Sequence, residues 1–144
     1  MRYKVEKLVA ENAVVGEGPV WDVESQTLYW IDIQGGKIWN YDPTNGENKL
    51  LHTGYNVAGA TRNKQGGLTV GTWEGVQLWN SDDDFTWLHR GEVDGRPIKL
   101  NDVTVGPDGS FYGGSGHLDS CTLFRFKSDG TTEIIDDGLD LCNG

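Results

Sequence analysis

One layout recurs three times along this chain: strand, tight turn, strand, turn, strand, turn, strand. It first runs through Gly18-Pro19-Val20-Trp21-Asp22, a turn at Glu24-Ser25-Gln26, then Thr27-Leu28-Tyr29-Trp30-Ile31-Asp32-Ile33 and Lys37-Ile38-Trp39-Asn40-Tyr41-Asp42. It returns in Gly59-Ala60-Thr61-Arg62, Leu68-Thr69-Val70-Gly71-Thr72 and Gly75-Val76-Gln77-Leu78-Trp79. The third copy holds Asp102-Val103-Thr104-Val105, Ser110-Phe111-Tyr112-Gly113-Gly114 and Thr122-Leu123-Phe124-Arg125-Phe126. Leu28, Leu68 and Phe111 occupy equivalent places, so the period is 40 and then 43 residues. The turns carry Asn-Gly, Asp-Gly and Gly-Gly pairs, which tolerate the positive φ of tight hairpins. Four short strands every ~40–45 residues mark the blade of a β-propeller. A β-sandwich would require the shared turn types and strand order to recur by chance.

The expected architecture is therefore all-β: about three four-stranded blades, half of a six-bladed ring. The blades fall at about 16–50, 57–92 and 99–137 of a single partial domain spanning 1–144, and a fourth opens at 138–144. Tyr3-Lys4-Val5-Glu6-Lys7-Leu8-Val9 reads as an outer strand that would latch the last blade of a closed ring. An arc of three blades leaves two apolar faces open. Either a missing C-terminal half or a second copy of the chain is expected to cover them.

With 12 basic and 22 acidic side chains, the net charge is −10. That excludes the electrostatic footprint of nucleic-acid or anionic-membrane binding and favours cations as partners. No apolar run is long enough to span a bilayer, and the charged N-terminus is no signal peptide. A cytoplasmic location is expected. Cys121 and Cys142 are too few for a disulfide framework and read as free thiols.

Glu17 stands between two glycines in Gly16-Glu17-Gly18-Pro19-Val20-Trp21. Asn101 opens the third unit in Leu100-Asn101-Asp102, and Asn143 closes the chain in Leu141-Cys142-Asn143-Gly144. All three sit at strand starts in successive repeats, so an axial arrangement brings them together. A carboxylate with amide oxygens suits a hard cation. Asp82-Asp83-Asp84 lacks the Gly and distal Glu of an EF-hand loop and reads as a solvated turn between blades. His52, His89 and His117 share no metal spacing. The six Trp read as packing between blades, with Trp73 near a pocket mouth.

These motifs resemble the gluconolactonase/regucalcin (senescence marker protein) family of six-bladed propellers. The likeness rests on the Glu17 motif, Leu28-Tyr29-Trp30-Ile31-Asp32-Ile33, Asn101-Asp102-Val103-Thr104-Val105-Gly106-Pro107-Asp108-Gly109 and Leu141-Cys142-Asn143-Gly144. It covers the whole chain but about half of a family member. The resemblance implies a hydrolase that opens sugar lactones with one divalent cation, calcium first, with zinc, magnesium or manganese as alternatives. Glu17 and Asn143 match metal-binding positions. Asn101, Lys99 and Asp119 match positions that face substrate. Lys99 stands where several members carry arginine; lysine keeps the charge but loses the bidentate fork. The family's metal-binding aspartate, the proposed general base, would lie beyond Gly144. Two other readings stay open: a phosphotriesterase or aryl esterase on the same scaffold, and a calcium- or protein-binding propeller fragment without turnover.

Overall fold

The computed structural model describes residues 3–116 and 120–143, and among these every regular element is a strand. The first sheet is β1 (Gly16–Asp22), β2 (Thr27–Asp32), β3 (Lys37–Asp42) and β4 (Glu47–Thr53). The second is β5 (Val57–Arg62), β6 (Leu68–Thr72), β7 (Gly75–Ser81) and β8 (Asp84–Arg90). A short hairpin, β9 (Glu92–Val93) with β10 (Arg96–Pro97), leads to the third sheet. That sheet is β11 (Leu100–Val105), β12 (Phe111–Ser115), β13 (Cys121–Phe126) and β14 (Thr132–Leu139). Each four-stranded sheet is an antiparallel meander in chain order. β5 touches both β1 and β11, so the first strand of each blade lies innermost.

Two apolar cores lie between the blades. Ile31, Ile38, Val57, Ala60, Leu68, Val70 and Trp79 join the first blade to the second. Ala58, Val76, Ile98, Leu100, Phe111, Phe124 and Phe126 join the second to the third. The middle blade is covered on both faces, which explains why all five residues of β6 are buried. The blades meet closely because glycine lines the seam. A Cβ on Gly59 would fall 2.3 Å from Val103 Cγ2, and one on Gly71 would fall 2.6 Å from Val103 Cγ1. Val103 of β11 thus packs over the paired Gly59 of β5 and Gly71 of β6, where no side chain of the second blade can stand.

Several local features differ from the sequence reading. Residues 3–9 form no strand, because no sheet edge among the described residues pairs with them; Tyr3 and Val5 stand exposed. Of the six Trp, only Trp79 joins an inter-blade core among the described residues. Trp30 and Trp39 instead stack at 5.6 Å on the outer face of the first blade, while Trp21 and Trp73 are exposed. The acidic run 82–84 sits at the β7–β8 hairpin, inside a blade rather than between two. Asp82 Oδ1 lies 2.5 Å from Nδ1 of the buried His52 and accepts a hydrogen bond from Trp79 Nε1 at 3.2 Å. It therefore ties the first blade to the second. β14 continues to Leu139, past the Gly138 at which the sequence places a fourth unit.

The seam gives a direct test. Gly59→Ala forces Val103 aside and should lower the unfolding free energy by roughly 1–3 kcal/mol in urea titrations. Adding Val103→Ala should recover part of that loss, so the two substitutions are less than additive.

Candidate functional site

Each inner strand breaks register once near its start. The irregularity falls between Glu17 and Val20 in β1, between Val57 and Gly59 in β5, and between Leu100 and Asp102 in β11. A bulge leaves a residue outside the ladder and re-aims its side chain. In β11 the residue passed over is Asn101, and in β1 Glu17 is the last paired residue before the break. Gly18 takes φ of 55° and Pro19 follows it, the chemistry a bulge accepts and a regular ladder does not.

The approach to Glu17 is fixed from behind by Asp32. This carboxylate is 1% exposed at the end of β2. Its Oδ2 accepts the Val14 N–H at 3.0 Å, and its Oδ1 accepts those of Val15 at 2.9 Å and Gly35 at 3.0 Å. Ile33 N–H closes the clamp on Val15 O at 3.0 Å. Burial works to raise the Asp32 pKa, but the three backbone donors outweigh it, and with help from Lys37 they hold it below the ordinary carboxylate value. The chain thus arrives at Gly16 and Glu17 from a fixed direction.

Glu17 and Asn143 line one cavity of about 740 Å³, which runs along the inner strands of all three blades. Its wall also holds Asp102 and Asp140 and no Lys, Arg or His among the described residues, so its potential is negative. Asp102 Oδ1 accepts the Val103 N–H at 2.8 Å and so steadies the turn of β11. Asn101 Nδ2 donates to Cys142 O at 3.1 Å. That bond assigns the amide: the nitrogen holds the backbone beside Asn143, and Oδ1 remains an acceptor. Among the described residues, no three His, Cys, Asp or Glu side chains cluster as a metal site. Besides the Asp102 and Asp140 carboxylates, the side-chain oxygens described at this end include the Glu17 carboxylate and the amide oxygens of Asn143 and Asn101. Carboxylate and amide oxygens are the donor types a hard divalent ion accepts.

Lys99 is placed differently. Its ammonium lies 4.4 Å from the Trp73 ring centroid, a cation–π contact across the β6–β7 turn, and it does not line the cavity. Thr72 Oγ1 closes that turn by accepting the Glu74 and Gly75 N–H groups at 3.0 and 3.1 Å. Asp119 and His117 lie outside the described residues. Sequence reasoning gave Asp32 no role, although a charged residue inside Trp30-Ile31-Asp32-Ile33 was a visible signal that a buried carboxylate needs partners.

The chain is similar to known proteins over nearly its whole length. Residues 15–144 match the SMP-30/Gluconolactonase/LRE-like region. "Pentonolactonase XacC" of Haloferax volcanii is 31% identical over 142 residues, which is 97% of this chain and 48% of that protein. A "6-deoxy-6-sulfogluconolactonase" of Pseudomonas putida is 30% identical over 109 residues, 75% of this chain and 38% of that protein. Among solved structures, a calcium-binding protein, regucalcin, from Agrobacterium tumefaciens superposes with a TM-score of 0.79 at 16% identity, over 92% of this chain and 46% of that one. The chain thus spans about half the length of the first of these relatives.

Asp32→Asn should lower stability by about 1–3 kcal/mol at neutral pH, since it removes the charge from three hydrogen bonds. The Asp32 pKa is lowered on folding, so its contribution is complete above the unfolded value of 3.8 and fades as pH falls through the lower folded value. Urea unfolding of both proteins across pH 2–7 should show the gap closing on the acid side.

Proposed function

Because this chain belongs to the SMP-30/gluconolactonase/LRE-like family, we propose that it forms part of a metal-dependent hydrolase that opens sugar lactones. The observation that carries the reading is the shared cavity of Glu17 and Asn143, with Asn101 hydrogen-bonded to the residue just before Asn143. Relatives named pentonolactonase and 6-deoxy-6-sulfogluconolactonase support the substrate class. A solved neighbour described as calcium-binding supports calcium as the first cation to test, with magnesium, manganese and zinc beside it.

In this reading Glu17 supplies the one charged ligand, and Asn143 with Asn101 supplies neutral amide oxygens. A divalent cation, when bound, polarises an ester carbonyl and makes water a better nucleophile at neutral pH. Asn101 serves two ends: its nitrogen fixes the strand before Asn143, and its oxygen faces cation or substrate. Asp32 sets the direction from which Glu17 reaches the cavity. Lys99, braced on Trp73 outside the cavity lining, keeps the substrate-facing role that the family likeness implies as a donor to sugar hydroxyls, and Asp119 keeps it as an acceptor from them. The base that takes the proton from water comes from another part of the assembled ring, either a further segment or a second copy. The three blades are proposed as one partial domain.

Glu17→Ala should weaken calcium binding, read by titration calorimetry, at least about 100-fold, because loss of supporting contacts alone costs 10–100-fold in metal sites. Hydrolysis of gluconolactone and pentonolactones by the purified chain, with each metal and with chelator, tests the chemistry. Metal-dependent turnover that vanishes in Glu17→Ala upholds the reading. Metal binding without turnover on any lactone favours a calcium-binding module, and unchanged affinity in Glu17→Ala overturns the ligand assignment.

A further inference from the structure

Cys121 and Cys142 lie on the face of the third blade opposite its packing on the second. Cys121 is the first residue of β13 and has no exposed surface. Side chains alternate along a strand, so Cys121 shares its face with Leu123. Leu123 pairs with Gly114 of β12, and that face is therefore the one Gly114 leaves bare. Cys142 fills the bare position: a Cβ on Gly114 would lie 2.0 Å from Cys142 Cβ and 2.9 Å from its Sγ. Burial first, and then the neighbouring Cys121 thiol, push the Cys142 thiol pKa up, and neither cysteine is in a disulfide. A glycine is needed at 114 for Cys142 to come this close to the sheet.

The position of Cys142 in the site gives the contact a use. Its carbonyl accepts the Asn101 amide, and the next residue is Asn143. Beyond Leu139 the chain leaves the ladder, and among the contacts that hold residues 140–143 to the blade are the Asn101 amide and the packing of Cys142 on Gly114.

We infer that Cys121 and Cys142 are a disulfide-forming pair whose oxidation pins residues 140–143, and Asn143 with them, to the third blade. The oxidant is a small-molecule disulfide. The thiolate of Cys142, the more accessible of the two, attacks one sulfur of the reagent and releases its first thiol. The Cys121 thiolate then attacks Cys142 Sγ in the mixed disulfide, forms the Cys121–Cys142 S–S bond and expels the second thiol. Two electrons pass to the reagent, and the two protons leave on the released thiols. The bond closes a chain loop across β13 and β14, which restricts the unfolded state as well as the native segment. Its link to a cation at Asn143 rests on the reading above; the thiol pair itself does not.

The test uses the whole chain, incubated with oxidised glutathione and then freed of reagent. Intact mass without reductant should fall by two hydrogens, and a single cross-linked peptide pair should join Cys121 to Cys142. Amides of residues 140–143 should exchange with deuterium several-fold more slowly in the oxidised chain than in the reduced one. Cys142→Ser, which keeps a small side chain over Gly114, should abolish both effects while leaving the fold intact by circular dichroism. Stable glutathione adducts, intermolecular bonds only, or equal exchange in the two forms would overturn the inference. Calcium titration of both forms separates the two claims: no binding in either form refutes the cation reading, while mass and exchange still decide the thiol pair.

Discussion

The close approach of the inner strands governs this structure. A twisted four-stranded sheet has two faces, and both must be covered for the blade to be stable. The middle blade meets that need by lying between its neighbours, and the seam is narrow only because Gly59 and Gly71 make room for Val103. Polar clips then fix the angle between the first two blades. Asp82 reaches across to His52, and Arg62 on β5 pairs with the buried Asp22 of β1 at 3.0 Å. These contacts set how the inner strands converge, and residues of all three line one cavity.

The candidate site is a by-product of the same geometry. Inner strands that crowd toward an axis cannot all keep a regular ladder, and each of the three carries its irregularity at the same end. The bulges pass over Asn101 and turn the chain at Glu17; Glu17 lines the cavity, and Asn101 bonds the backbone of Cys142, which lines it too. Second-row contacts hold those side chains in place: Asp32 through the backbone before Glu17, and Asn101 through the backbone before Asn143. The negative wall formed with Asp102 and Asp140 adds an electrostatic preference for cations over anions.

The propeller was legible in the sequence because its determinants are local. Hairpin turns and alternating strands announce themselves within ten residues, and the 40- and 43-residue spacings order them. Glu17, Asn101 and Asn143 stood out through their motifs at strand starts. What escaped notice depends on contacts between distant segments. The His52–Asp82 clip spans thirty positions, and nothing in Asp82-Asp83-Asp84 hints at a buried histidine partner. The Asp32 clamp joins residues far apart in sequence, and the meeting of Cys121 with Cys142 needs the bare face of Gly114. The β9–β10 hairpin was readable in principle: Asp94 and Gly95 both take positive φ, as an Asp-Gly turn predicts. Residues 3–9 carry the pattern of a latch strand whose partner is a later blade, and with no such edge among the described residues they form no strand.

In the proposed function, Glu17, Asn101 and Asn143 converge on one cation. A crystal structure of the chain soaked with manganese, with anomalous difference density, tests it most directly. The account predicts a single strong peak in the shared cavity, at coordination distance from a Glu17 carboxylate oxygen and from the side-chain oxygens of Asn143 and Asn101. A peak elsewhere, or an Asn101 amide turned so that its nitrogen faces the peak, would contradict it.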